Sequence, residues 1–213
     1  MAKLRVHALS MSIDGYVAGP HQSAENGLGI GGENLHDWLF GTRTWLRTHG
    51  QEGGDETGVD EQFMQRAEQN AGATIMGRRM FGPITGPWPD PPWNGWWGDS
   101  PPFHHDVFVL THHEREPLAL SDTTFHFVTD GIEAALERAF ASAGGKDVRV
   151  GGGAQTVQQY LDAGLIDEMH LAIAPMLLGS GERLLVGDIT DKYECVEYLP
   201  SNAAAHVVMR KKA

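Results

Sequence analysis

The sequence predicts an α/β fold built on a mostly parallel central sheet, with helices on both faces and an antiparallel strand pair at the C-terminal end. Short apolar runs at 4–12, 73–76, 107–110, 125–128, 147–150 and 169–173 each have strand length. Several are separated by amphipathic segments of about 10–15 residues with helical spacing, the alternation that builds βαβ units. The last two runs, 193–199 and 203–210, have no helix between them and read as a closing antiparallel pair. There is no internal repeat and no linker, so residues 1–213 form one domain with two long excursions, 18–59 and 87–102.

In chain order, 4–12 is a buried first strand stopped by the turn residues Asp14 and Gly15. Residues 18–59 are rich in Gly, His and Asn around an apolar island at 35–46, which predicts a long loop carrying one short helix. A helix over 60–70 puts Phe63, Met64 and Ala67 on one face, and the strand 73–76 runs directly into Gly77-Arg78-Arg79. Residues 87–102 hold six prolines and four tryptophans, a composition that neither a helix nor a central strand tolerates, so they form a loop. Thr129 or Asp130 caps the next helix, whose Ile132, Ala135, Leu136, Ala139 and Phe140 share a face before Gly144-Gly145 ends it. The helix after 147–150 turns Val157, Tyr160 and Leu161 inward and stops at Gly164.

Charge excludes several functions. Against 16 Lys+Arg stand 28 Asp+Glu, a formal net charge of −12. So acidic a surface repels nucleic acid and anionic lipid, and no apolar run approaches the ~20 residues of a membrane span. The single cysteine, Cys195, rules out an internal disulfide and a cysteine-based zinc site, which predicts a cytoplasmic protein.

Two segments can carry chemistry. Gly151-Gly152-Gly153 lies between a strand and a helix beginning near Ala154, Gln155 and Thr156. Backbone without Cβ atoms lets a phosphate approach the N–H groups and the positive helix end, although a plain glycine turn has the same composition. Gly77-Arg78-Arg79-Met80-Phe81 sets two guanidinium groups just past a strand end, where open α/β sheets bind ligands; surface arginines paired with acids are the alternative. Leu110, Thr111, His112 and His113 end a third strand. Adjacent histidines point in different directions, and with His104 and His105 they lack zinc-ligand spacing, so no metal is expected. Gly27-Leu28-Gly29-Ile30-Gly31-Gly32 half-matches a dinucleotide fingerprint but follows no strand. The tryptophan-rich loop either faces a flat heterocycle or packs on the sheet or a dimer partner.

In order, Ser12-Ile13-Asp14-Gly15, Met76 to Phe81, Val109-Leu110-Thr111, Val150 to Gly153, and Ile173-Ala174-Pro175 with Gly179-Ser180-Gly181 resemble the dihydrofolate reductase superfamily. The resemblance is to the branch related to the C-terminal reductase domain of riboflavin biosynthesis, and it covers most of the chain. It implies a dihydrofolate-reductase-like fold, an NADPH-dependent hydride transfer to a pterin- or pyrimidine-like heterocycle, and a homodimer. The alternatives are 5-amino-6-(5-phosphoribosylamino)uracil reduction and an NADPH-binding protein without turnover.

By the same resemblance, Gly77, Arg78, Arg79 and Met80 meet the cofactor phosphates and Leu110, Thr111 and His112 the adenosine side. Gly151 to Thr156 meet the pyrophosphate and ribose, and Ala8, Ile13 and Gly15 the nicotinamide. Asp14 and Phe81 are expected beside the substrate. Asp60 or Glu61 is the candidate acid, against the reading of both as dipole-favoured residues at a helix start. The riboflavin-pathway reductases usually carry a glutamate directly before the glycines, where this chain has Gly151.

Overall fold

The computed structural model describes residues 1–213. Nine strands form one sheet, in the order β10-β11-β8-β1-β7-β3-β4-β6-β5. They are β1 (Leu4–Ser12), β3 (Ala71–Gly77), β4 (Asp106–Leu110), β5 (Leu118–Leu120), β6 (Thr123–Val128), β7 (Asp147–Gly152), β8 (Glu168–Ala174), β10 (Tyr193–Pro200) and β11 (Ala205–Lys211). From β8 to β6 every neighbouring pair is parallel, while β5, β11 and β10 pair antiparallel at the two edges. The parallel core and the antiparallel C-terminal pair are as the sequence predicts.

Alternation along each central strand divides the molecule into two faces. One face of the strands packs against α5 (Ile132–Ser142) and α6 (Ala154–Asp162). The 22-residue core there includes Leu4, Val6, Ile75, Val148 and Val150, with Val157 and Tyr160 from α6. Tyr160 is fully buried and its hydroxyl donates to the Ile132 carbonyl at 2.8 Å, tying α6 to the start of α5.

The opposite face carries two smaller apolar clusters. Phe63 and Met64 of α3 (Val59–Glu68) pack with Trp38 and Leu39 of α1 (Asp37–Phe40) over β8 and β11. Phe81 of α4 (Arg78–Phe81) packs with Met76, Val107, Val109 and Phe125 under the tryptophan loop. Between the clusters runs a polar strip. Arg5 pairs with Asp147 at 3.0 Å and donates to the carbonyls of Arg66 and Gln69 at the end of α3, and Arg149 pairs with Glu68 at 2.9 Å. Cations there satisfy the orphan carbonyls of a helix C-terminus.

A chain of hydrogen bonds crosses the sheet beneath α3. The register of β1 on β8 shifts between Val6 and Leu9, and Ala8 has φ 54. Its N–H donates to His170 Nδ1 at 3.1 Å, which leaves the His170 proton on Nε2. That proton goes to His206 Nδ1 (3.0 Å), and His206 Nε2–H donates to Asp60 Oδ1 (2.6 Å). Phe63 stacks on both imidazoles, at 4.2 and 4.4 Å between centroids. One tautomer set thus satisfies every ring nitrogen with both histidines neutral.

Three local expectations change. The 18–59 excursion is more ordered than a loop with one helix: a 3-10 turn (Glu33–His36), α1 and α2 (Arg43–Thr48) follow a short strand β2 (Tyr16–Ala18). β2 pairs antiparallel with β9 (Glu182–Arg183) in a separate two-stranded sheet. The cap of α5 is Gly131 at φ 92, with no side-chain bond; Asp130 instead reaches Arg138 at 2.6 Å. Loop 87–102 is irregular as expected.

One close approach between elements is at Gly77. A Cβ there would lie 2.4 Å from Thr156 Oγ1 and 3.5 Å from the Gly153 nitrogen, so the end of β3 packs directly on the Thr156 side chain in the first turn of α6, with no room for a side chain at position 77. Gly77→Ala is expected to weaken ligand binding in the cleft described below by tenfold or more while retaining the far-ultraviolet circular dichroism of the fold. Thr156→Ala, which removes the clashing oxygen, is expected to restore part of it; an unchanged affinity in Gly77→Ala would show that the contact is slack.

The buried histidines also set an acid limit. Burial lowers the pKa of His7, His170 and His206 below 6.5, so the native state resists protons that the unfolded chain accepts. Stability is therefore complete above about pH 6.5 and falls as pH drops below it, by about 1.4 kcal/mol per pH unit for each proton taken up on unfolding. The urea midpoint is expected to decrease between pH 7.5 and 5.5; a constant midpoint would contradict the neutral-histidine chain.

Candidate functional site

Strand ends β3, β4, β6 and β7 open on a single cleft of about 750 Å³, in the upper part of the ~300–1,000 Å³ range usual for ligand sites. Parallel strands create such a site because all their C-terminal ends lie at one edge, where each chain must leave the sheet. Gly77 to Met80 come from the end of β3, Leu110 to His113 from β4, Val128 and Thr129 from β6, and Gly151 to Thr156 from β7 and α6.

The triple glycine forms one part of the wall. Gly152 has φ 139, a backbone region that disfavours side chains, and the Gly152–Gly153 peptide is cis. A Cβ at Gly151 would meet Met80 Cε at 3.1 Å, whereas one at Gly153 would meet nothing within 4 Å. The Gly153 backbone therefore faces open cleft at the N-terminus of the nine-residue α6. Exposed backbone and a positive helix end together suit a phosphate group.

The two arginines behave differently. Arg78 Cζ sits 3.5 Å above the Trp88 ring centre, and Nε, Nη1 and Nη2 are all buried without a hydrogen-bond partner. Burial, and then the like charge of Arg115, holds its pKa down at about 10, so it remains a cation at neutral pH. Arg79 is half-exposed and its Nη1 pairs with Glu182 Oε1 at 2.7 Å, both residues lining the cleft. Glu182 belongs to β9, which Gln158 of α6 holds by donating to the carbonyls of Arg183 and Leu184.

The predicted cofactor residues Gly77, Arg78, Arg79, Met80, Leu110, Thr111, His112 and Gly151 to Thr156 all line this one cleft. The other candidates lie elsewhere. Ile13 is exposed, and Ala8 and Gly15 form the bulge and turn of the first strand; from β1 it is Leu9 that reaches the cleft. Asp14, expected beside a substrate, instead accepts from Ser12 Oγ and the N–H groups of Leu178 and Gly179. The Ser12 bond above all, with the two N–H groups, outweighs the effect of burial and holds its pKa at about 2. Phe81 is fully buried among Phe125, Phe127 and Trp88.

The acid candidates likewise lie outside the cleft. Asp60 ends the histidine chain under α3. Glu61 is 2 % exposed and accepts from Thr44 N–H, Thr44 Oγ1 and Gln65 Nε2. Burial raises its pKa, but these donors outweigh that and lower it overall, opposite to the direction a proton donor needs. Glu61 pins α2 to α3, and neither acid lines the cleft.

Residues of the two long excursions complete the walls, those of 18–59 missed in the sequence and the tryptophans anticipated as one of two readings. Gln22, Glu25, Leu28, Glu33 and His36 come from the 18–59 excursion, and Trp96 and Trp97 from the tryptophan loop. The excursion's length signals function without indicating which residues face inward. Trp88 and Trp93 donate to the carbonyls of His113 and Phe81, so half of that loop is packing and the other half is cleft wall.

Residues 5–202 match the model of the RibD C-terminal domain. No curated protein matches the sequence. Among solved structures, a Shewanella sp. PV-4 protein assigned to riboflavin biosynthesis superposes with TM-score 0.63 at 21% identity, over 100% of both chains. Acinetobacter baumannii RibD gives 0.59 at 16% identity over 100% of this chain and 59% of its own. A Thermotoga maritima diaminohydroxyphosphoribosylaminopyrimidine deaminase/5-amino-6-(5-phosphoribosylamino)uracil reductase gives 0.55 at 13% identity over 99% and 57%. The chain thus spans less than two thirds of those two relatives. At such identities the superpositions establish the fold, and the domain match, extending over nearly the whole chain, establishes the family: the chain belongs to the RibD C-terminal domain family, within the dihydrofolate-reductase-like superfamily.

Proposed function

We propose that the protein is an NADPH-dependent reductase acting on a planar nitrogen heterocycle of pterin or pyrimidine type. The observation that carries this reading is the convergence of the Gly-Arg turn and the triple glycine on one cleft, through the contact of Gly77 with Thr156. Family membership supports the reductase class, and a partnerless buried guanidinium beside a glycine cradle fits an anionic cofactor.

When bound, NADPH supplies the hydride. Within the chain, the backbone from Gly151 to Gln155 receives the pyrophosphate beside Thr156, whose own N–H is donated to the Gly153 carbonyl, and Leu110, Thr111 and His112 border the adenosine end. Arg79 serves the 2′-phosphate directly. Arg78, locked on Trp88, contributes positive potential from within the wall rather than a flexible fork. Trp96 and Trp97 give the cleft wall flat apolar surface that excludes water from the reacting rings.

Titration with NADPH, followed by cofactor fluorescence, tests the reading, and absence of binding at millimolar NADPH would end it. NADPH oxidation at 340 nm in the presence of dihydrofolate, dihydrobiopterin or an aminopyrimidine then tests turnover. Arg79→Ala is expected to weaken NADPH at least tenfold more than NADH, because the 2′-phosphate is the only difference between the ligands; equal losses would reject that assignment. Glu182→Gln frees Arg79 from a partly exposed ion pair of about 0.2–1 kcal/mol, so NADPH is expected to bind up to about fivefold more tightly. Weaker binding in Glu182→Gln would show that the carboxylate orients Arg79 instead of competing for it.

A further inference from the structure

The bulge in β1 decides which face of the sheet each later residue of that strand takes. Val6 stands opposite Met169 and Leu9 opposite Leu171, so two residues of β1, His7 and Ala8, oppose the single residue His170 of β8. An extra residue reverses the alternation of side chains beyond it. Before the bulge, Leu4 and Val6 belong to the core packed on α5 and α6; after it, Leu9 and Met11 return to that core, and Leu9 reaches the cleft. Ala8 packs in the opposite cluster, and on that side Ser10 Oγ accepts from Trp38 Nε1 at 2.9 Å. In an unbroken strand the even-numbered residues would keep the α5/α6 face, and Ser10 would point toward it in place of Leu9.

The bulge holds only while the Ala8 N–H, taken out of the ladder, has a buried acceptor. Three contacts run from it to α3: Ala8 N–H to His170 Nδ1 (3.1 Å), His170 Nε2 to His206 Nδ1 (3.0 Å) and His206 Nε2 to Asp60 Oδ1 (2.6 Å). Each contact takes one proton, of which Ala8 brings one and each neutral ring one. The direction of the chain is therefore set from its carboxylate end. An acceptor at position 60 keeps the His206 proton on Nε2, which leaves Nδ1 to accept from His170 and His170 Nδ1 to accept from Ala8. Without that acceptor both rings can reverse, and His170 then turns an N–H against the Ala8 N–H. Both imidazoles are fully buried, so water does not take over either role.

From this geometry, and resting on the reductase reading above for the ligand used to test it, we propose that Asp60 is a positioning residue for the cleft: through His206 and His170 it fixes the β1 bulge and with it the place of Leu9 in the wall. Asp60 itself lies on α3 and does not line the cleft, so it acts on a bound ligand only through the chain.

NADPH affinity, read by cofactor fluorescence, is compared in Asp60→Asn, Asp60→Leu and Leu9→Ala. Asp60→Asn keeps an acceptor oxygen for His206 and is expected to bind within about threefold of the wild type. Asp60→Leu removes the acceptor and keeps water from replacing it, and is expected to bind about tenfold more weakly. In the Leu9→Ala background the loss caused by Asp60→Leu is expected to shrink below about threefold, because the side chain it positions is gone. His206→Phe retains a ring on Phe63 but removes the acceptor for His170; it carries the same expectation as Asp60→Leu and replaces it should that variant not fold. Unchanged affinity in Asp60→Leu or His206→Phe, equal losses in Asp60→Asn and Asp60→Leu, or an undiminished loss in the Leu9→Ala background would overturn the proposal. A fall in melting temperature alone does not sustain it, since a purely stabilising role lowers stability and leaves affinity intact. Failure of the wild type to bind NADPH would remove the reductase reading, and the Leu9 methyl resonances then decide. They are expected to shift in Asp60→Leu and to keep their wild-type positions in Asp60→Asn; no shift in either variant, or the same shift in both, would overturn the proposal.

Discussion

Contact between Gly77 and Thr156 is the constraint on which the cleft depends. β3 and β7 are neighbours in the sheet, but neighbouring strands alone leave their following loops free to diverge. A side chain at position 77 would collide with Thr156 Oγ1, forcing either that hydroxyl or the start of α6 to move. Because Gly77 adds no side chain, the backbone carrying Arg78 and Arg79 and the backbone of Gly153 face one space. A dinucleotide needs donors at several points along its length, and this single close approach brings two sets of them together.

The second support comes from the far side of the sheet. Ala8 leaves the regular ladder at the β1 bulge, and its N–H would be an unsatisfied buried donor without His170. His170 can accept only while neutral with its proton on Nε2, which requires His206, and His206 in turn requires Asp60 on α3. The bulge presents Leu9 to the cleft, so a helix that contributes nothing to the cleft wall still governs its shape. Asp60 thus has a structural task, reached through two hydrogen-bonded imidazoles that both stack on Phe63, that a count back from the Gly-Arg turn does not distinguish from an acid at a reaction centre.

Local chemistry in the sequence reveals the strands, the three long helices and the phosphate-facing turns, because each depends on residues adjacent in the chain. Val148 to Val157 is legible as strand, glycines and helix without any partner in view. What sequence reasoning misses is pairing at long range. β2 and β9 are too short to announce themselves and exist through each other, across more than 160 residues of chain. Glu182 reaches Arg79 only by that pairing. Similarly, the composition of 87–102 indicates a loop but not that Trp88 shields a guanidinium while Trp96 walls a cleft.

Arg78 shows why a strongly acidic protein can still hold an anionic ligand. A buried cation normally recruits a carboxylate, and with 28 acids available the absence of one is informative. Stacking on Trp88 stabilises the guanidinium by about 2 kcal/mol or more where water is excluded, enough to offset part of its desolvation without neutralising it. A carboxylate in the same place would have stabilised the ligand-free fold better and cancelled the field at the cleft. The aromatic partner leaves the charge uncompensated at close range to the glycine cradle. Long-range repulsion from a net charge of −12 is screened beyond about 8–10 Å at physiological ionic strength, whereas a cation in the wall acts over a few ångströms of low-dielectric contact. The local field therefore decides what binds at this end, and the global charge decides what stays away from the rest of the surface.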